Sequence, residues 1–210
     1  MPTRTFACRL LVAVRARMDT PLDLPLLAFA NADGWNTWLS EHYTDAGIWL
    51  RLAKRAVPDP CLRYADAVEI ALRWGWIDGQ TYAMDARAFR QRFTPRRPRS
   101  LWSRINVDKA TALVLAGRME APGLREMERA KADGRWDAAY SGARESVVPD
   151  DLTAAFLVNP SAGAFFAALD GANRYAVLWR LQTATSAKTR AARLERLVAM
   201  LGRGERIHER

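Results

Sequence analysis

The chain has 210 residues, half of them apolar, and a formal charge of +9. That is enough apolar material for one large core or two small ones without covalent staples. Two cysteines, Cys8 and Cys61, are too few and too far apart for a disulfide framework or a paired-cysteine metal site. Such sparing cysteine use fits a reducing cytoplasm, and no apolar run approaches the roughly 20 residues needed to cross a bilayer.

Residues 1–17 carry Arg4, Arg9, Arg15 and Arg17, with no acid, around the apolar run Leu10–Val14. The run is too short for a signal peptide, Arg9 breaks into it, and Arg15 and Arg17 stand where a small-residue cleavage site belongs. The expectation is a disordered N-terminal extension, with Met18 as an alternative start. From Leu22 a first module begins. Leu26–Ala30 reads as a short strand and Gly34–Glu41 as a helix whose Trp35, Trp38 and Leu39 share a core-facing side. Gly47–Arg55 alternates Ile48, Leu50 and Leu52 with Trp49, Arg51 and Ala53, the period of a half-buried strand. Pro58 and Pro60 place a turn at Val57–Cys61. A helix over Arg63–Trp74 follows, ended by Gly75.

Asp78-Gly79, set between apolar residues and Gln80-Thr81-Tyr82, predicts a hairpin turn with a second arm running to Met84. A strand over Ala88–Thr94 then places Phe89, Gln91 and Phe93 on one side and Arg90 and Arg92 on the other. The interleaving of helices and strands predicts an α+β domain over residues 18–140, an antiparallel sheet of about four strands with helices packed on one face.

The stretch Arg92–Asn106, RFTPRRPRSLWSRIN, concentrates the charge. Between Arg87 and Lys109 stand eight basic residues and one acid, Asp108. Pro95 and Pro98 stiffen the backbone, and arginine's planar fork suits phosphate or carboxylate. Ser100 reads as the N-cap of a helix opening at Leu101. Beyond it, Trp102, Ile105, Ala112, Leu113 and Ala116 share a helical face up to Gly117, and Pro122 opens a shorter helix that stops at Gly134. Ser141–Pro149 is the expected linker, polar apart from Val147 and Val148. Residues 150–210 then form an all-α bundle with helices near Asp150–Val158, Ser161–Leu169, Ala172–Thr183 and Ala187–Arg203.

Four segments, GWIDGQ at 75–80, RFTPRRPRSLWSRIN at 92–106, GRM at 117–119 and ADGRWDAAY at 132–140, resemble the bacterial YdeI/OmpD-associated proteins, also labelled bacteriocin-protection proteins. The resemblance runs from about Leu26 to the C-terminus. It implies a stress- or antimicrobial-protection role without a catalytic residue set, and a YjbR/CyaY-like N-terminal part of frataxin-type α+β fold. The iron site that grouping suggests is not carried over, because the acids here are dispersed.

The residues themselves offer little for catalysis. His42 and His208 assemble neither a zinc set nor a triad, and no glycine-rich phosphate loop is present. No cofactor, metal or catalytic residue is expected. Binding is the better reading: Arg92, Arg96, Arg97 and Arg99, with Trp74, Trp76 and Trp102 beside them and Asp78, Ser103 and Asn106 as polar neighbours, are the candidate site for a small anionic ligand, phosphorylated or aromatic. Two alternatives are open: nucleic acid on the same arginines and tryptophans, or a protein partner docking on the helical C-terminal domain. Lys188, Arg190 and Arg193 make a second basic group near the start of the last helix, where the macrodipole opposes cations and an acidic neighbour or ligand would relieve the conflict.

Overall fold

The structure, a computed structural model, describes residues 23–54 and 62–209. The N-terminal extension, Cys8, Cys61 and the Val57–Cys61 turn lie outside the described residues. The contacts divide the chain into two units, the first made of residues up to Ser100 with Lys109–Asp133, the second of Leu101–Asp108 with Gly134–Arg210. The architecture is α+β in the first and helical in the C-terminal part.

In the first unit a four-stranded sheet has the order β1 (Leu26–Leu27), β2 (Ile48–Ala53), β4 (Ala88–Pro95), β3 (Trp76–Ala83). β2 and β3 each pair antiparallel with β4, while the two-residue β1 pairs parallel with β2, so the sheet is antiparallel except at that edge. The period-two pattern sets the register: Ile48 opposes Phe93, Leu50 opposes Gln91 and Leu52 opposes Phe89. That puts the apolar residues of both strands on one face. Helices α1 (Ala32–His42) and α2 (Tyr64–Arg73) cover it.

Trp35 of α1 sits at the centre, fully buried, edge-on to Trp76 at 6.1 Å and to Phe93 at 5.8 Å, with Trp38 stacked on it at 5.5 Å. A buried indole must satisfy its N–H. Trp35 donates to the Ala67 carbonyl at 3.2 Å, tying α1 to α2, and Trp76 donates to the Tyr43 carbonyl at 2.8 Å. Gly75, at φ +74°, ends α2 with its N–H on the Leu72 carbonyl at 3.1 Å. The opposite sheet face carries Trp49, Arg51, Tyr82, Arg90 and Arg92.

Two local expectations are corrected. Asp78-Gly79 is not the hairpin turn: β3 runs through it with a bulge between Asp78 and Thr81, and the turn lies at Met84–Arg87. There Asp85 accepts from the Arg87 and Ala88 N–H groups, both at 2.7 Å, an aspartate turn that wins over Asp-Gly because the side chain supplies two acceptor bonds to the chain reversal. Those two donors hold the Asp85 carboxyl below its ordinary range. Helix α3 (Arg104–Leu115) does not open at Leu101. Ser103 caps it, its Oγ accepting from Asn106 N–H at 3.2 Å, and Ser100 instead closes a turn by accepting from Arg97 N–H at 2.9 Å. Helix α4 (Ala121–Ala132) carries Pro122 in its first turn and follows the expected bounds.

The second unit contains α5 (Asp150–Val158), α6 (Pro160–Ala168), α7 (Gly171–Gln182) and α8 (Ala187–Gly202) around a core of Leu152, Phe166, Val177, Leu181, Val198 and Leu201. Asp170 and Ser186 cap α7 and α8 through the Asn173 and Thr189 N–H groups. Asn173, buried, also accepts from the N–H groups of Ile207 and His208 at 3.1 and 2.9 Å and so holds the tail. Residues 141–149 lie in this unit and are hydrogen-bonded within it: Ser141 N–H donates to Gln182 Oε1 at 2.8 Å, and Gln182 Nε2 donates to Ser146 Oγ at 2.9 Å.

Gly123 marks a close approach of α4 to the end of α2, since a Cβ there would lie 2.3 Å from the Arg73 carbonyl oxygen and 2.7 Å from that of Leu72. Gly123→Ala must push α4 off the end of α2 and is expected to cost about 1–3 kcal/mol in denaturant unfolding. Gly171→Ala, where a Cβ meets nothing within 4 Å, is expected to stay within about 0.5 kcal/mol of the parent.

Candidate functional site

The arginines of the basic stretch do not converge. Arg92 extends across the sheet face away from the helices, where it donates to Asp23 Oδ2 at 2.7 Å and lies over the Trp49 ring at 5.7 Å. The Trp49 indole donates to the other Asp23 oxygen at 3.1 Å, and these donors, the indole first, hold the Asp23 carboxyl below its ordinary range. Arg90, two residues earlier, is sandwiched between Trp49 and Tyr82, 5.0 Å from each ring centroid, and is only 6% exposed. Arg96 is 5% exposed, and its backbone N–H donates to the Gly75 carbonyl at 2.9 Å. Arg97 and Arg99 project into solvent either side of Pro98, and Arg104 further along the stretch is exposed as well.

Of the tryptophans expected to stack a ligand, Trp76 and Trp102 are core and Trp74 is half-buried. Trp76 is fully buried with its N–H already donated, so it offers neither face nor donor. Trp74 stacks on Tyr43 at 5.8 Å and donates to Asn36 Oδ1. Trp102, Ser103 and Asn106 belong to the second unit, whereas the arginines belong to the first. Trp102 is 3% exposed and packs against Trp136 at 4.9 Å. Ser103 and Asn106 make the cap of α3, the segment around them being fixed by the Arg104 N–H on the Tyr140 carbonyl at 2.8 Å and the Tyr140 N–H on the Trp102 carbonyl at 3.0 Å. Each of these residues is positioned by packing or by a backbone bond rather than presented to a ligand.

The second basic group is also structural in two of its three members. Arg190 reaches both oxygens of Asp151, at 2.7 and 2.9 Å, and the Leu181 carbonyl at 2.9 Å; Arg193 donates to the Arg180 carbonyl at 2.7 Å. Cations at the start of α8 thus cap the carbonyl end of α7, where the helix dipole favours them. Lys188 is exposed.

One candidate residue, Asp78, does face a cavity. On the helix-covered side of the sheet, between β3, β4 and the first turn of α2, lies a cavity of about 670 Å³. Among the described residues its lining is Ala53, Arg63, Tyr64, Ala65, Asp78, Gly79, Thr81, Phe89 and Gln91. Its size falls within the range of about 300–1,000 Å³ usual for small-molecule sites. The cavity exists because β3 bulges. The extra residue lifts Gly79 and Gln80 out of the ladder, and the Gly79 carbonyl left without a strand partner accepts from Gln91 Nε2 at 2.8 Å. Gln91, 2% exposed, also accepts from the Thr81 hydroxyl, and Tyr64 Oη donates to Asp78 Oδ2 at 2.6 Å across the mouth. The result is an apolar floor of Phe89, Ala53 and Ala65 beneath a set of preoriented polar groups.

Sequence reasoning named Asp78 as a polar neighbour in the candidate site while reading it as a turn residue, and placed Gln91 on one side of the strand with Phe89 and Phe93 without a role. A glutamine amid Phe89 and Phe93 on an apolar face was the available signal, because a buried amide requires partners.

The chain thus has an α+β unit that carries this cavity and a second unit that is helical in its C-terminal part. Residues 145–204, which cover α5 to α8, match the family model described as Bacteriocin-protection, YdeI or OmpD-Associated, which supports the resemblance for this part of the chain. Residues 27–126, from β1 into α4, match a domain of unknown function, DUF8412, and the YjbR/CyaY-like grouping expected there finds no support. No curated protein and no solved structure matched. No helix among the described residues is long and apolar enough to cross a membrane.

Two outcomes follow from the arginine placements. Arg96→Glu puts a carboxylate where a buried guanidinium stood and is expected to cost about 3 kcal/mol or more, while Arg97→Glu, on an exposed turn, stays within about 0.5 kcal/mol, both read by chemical denaturation. The Arg190 guanidinium holds the Asp151 carboxyl below its ordinary range. A depressed carboxyl adds stability that is complete above the ordinary value near pH 4 and is lost as pH falls through the lowered one. Asp151→Asn is therefore expected to cost about 1 kcal/mol at neutral pH, the size of a well-formed but half-exposed pair. That difference should shrink to nothing in unfolding curves taken towards pH 2.

Proposed function

We propose that the chain is a non-enzymatic small-molecule-binding protein with a bacteriocin- or stress-protection-associated role, in which the first unit binds the ligand and the helical C-terminal part carries the protection-associated sequence. The observation that supports this reading is the cavity between α2 and the bulged strand. Its apolar floor would contribute burial energy, at about 25 cal/mol per Å² of apolar surface, and its few fixed polar groups would set orientation.

The lining groups are matched donor to acceptor, phenol to carboxylate and hydroxyl to amide, rather than base to nucleophile. That pattern belongs to a receptor wall more than to an acid–base pair. The basic stretch, on this reading, serves folding: Arg90 and Arg92 build the outer sheet face and Arg96 lies buried beside the Gly75 turn.

Ala65 is exposed on the first turn of α2 and lines the cavity, so Ala65→Phe fills it without disturbing the core. In a thermal-shift screen of small organic molecules, at least one compound class is expected to raise the melting temperature of the parent and to lose at least tenfold in affinity for Ala65→Phe. A screen in which nothing shifts the parent, or in which the variant responds equally, would overturn the reading.

A further inference from the structure

This inference rests on the cavity reading and adds the charge of the occupant. The hydrogen-bond directions in the wall can be fixed one after another. The Gly79 carbonyl can only accept, so the Gln91 atom 2.8 Å from it is the amide nitrogen. The amide oxygen is thereby turned to Thr81, and because it too only accepts, the Thr81 hydroxyl must give it its single proton. Thr81 then keeps only lone pairs for the cavity. A carboxylate likewise accepts only, so Tyr64 gives its proton to Asp78 Oδ2 at 2.6 Å. Asp78 Oδ1 receives no hydrogen bond from any described residue.

The described side chains of the wall are therefore rich in acceptors. Against these oxygens the described side chains of the lining offer the second N–H of Gln91, whose side chain is almost wholly covered, and Arg63, which stands exposed at the cap of α2 where water screens its charge. Asp78 is half-buried and so is screened less. An anion would meet oxygen lone pairs and a carboxylate. A cation would find acceptors already aimed and lose little by desolvation.

We infer that the cavity takes an organic cation: an apolar body of about the size of one aromatic ring seated towards Phe89, with an ammonium or guanidinium head donating to Asp78. The oxygen of Thr81 takes a further N–H donor of the same head. This reverses the charge that the arginine-rich sequence suggests for a ligand.

The test uses three probes of matched shape, 2-phenylethylamine as its hydrochloride, 2-phenylethanol and 3-phenylpropionate, titrated calorimetrically into the full chain. The amine is expected to bind at least tenfold more tightly than either other probe. Asp78→Asn, which keeps an oxygen for Tyr64, should bring the three within about twofold of each other, a tenfold loss for the amine corresponding to about 1.4 kcal/mol. The probe ranking on the parent protein stands by itself should that variant fold poorly. Tighter or equal binding of the carboxylate, or a preference for the amine that survives in Asp78→Asn, would overturn the cation inference and leave cavity binding intact. Absence of binding by all three, or amine binding unchanged in Ala65→Phe, would overturn both.

Discussion

A buried primary amide cannot be left without partners, and in this protein that constraint falls on Gln91. Its position in β4 puts it on the helix-covered face between Phe89 and Phe93, where water is not available to satisfy it. The bulge in β3 answers the need by freeing the Gly79 carbonyl and placing Thr81 opposite. Bulge, amide and hydroxyl are thus one device, and the cavity is the space that device keeps open. Replacing the amide by an apolar side chain of similar volume would remove the reason for the bulge as well as one of its struts.

The same unit shows how arginines of a strongly basic sequence can be drawn into the fold. Arg90 and Arg92 alternate with inward residues along a strand, so the sheet period directs them to one face, where Trp49 and Tyr82 supply ring surfaces and Asp23 a carboxylate. Guanidinium groups lose less than ammonium groups on leaving water and stack well, which is why arginine rather than lysine serves in such places. Between Arg87 and Lys109 the exposed basic residues are Arg87, Arg97, Arg99 and Arg104, half of the eight that the raw charge count includes.

Strand alternation in β2 and β4, the glycine stop after α2 and the four C-terminal helices were legible in the sequence, each because a local rule had no strong competitor. The helices α5 to α8 lie within a residue or so of where their caps and breakers place them. The candidate site was legible only at Asp78. Asp78-Gly79 satisfies the local pattern of a hairpin turn, yet Asp85 makes a better one and the pairing with β4 carries β3 through. Ser100 and Ser103 are equally good caps in isolation, and the choice between them is made by Tyr140, some forty residues away, which fixes the backbone at Trp102 and Arg104. Trp76 looked available beside arginines because sequence adjacency says nothing about which side of a sheet a residue takes. What the sequence could not convey was the set of distant partners that decides between alternatives of similar local merit.

The exchange between α7 and α8 has a consequence for how the helical part can come apart. Arg190 and Arg193 belong to one helix but satisfy carbonyls at the end of the other, and Arg190 simultaneously grips Asp151 at the start of α5. Neither α7 nor α8 is electrostatically complete without its neighbour. Loss of α8 would strip α7 of its terminal partners and α5 of its guanidinium at one stroke. Partial melting from one end is therefore penalised, and these helices should open as a single cooperative element in hydrogen exchange rather than fray in sequence.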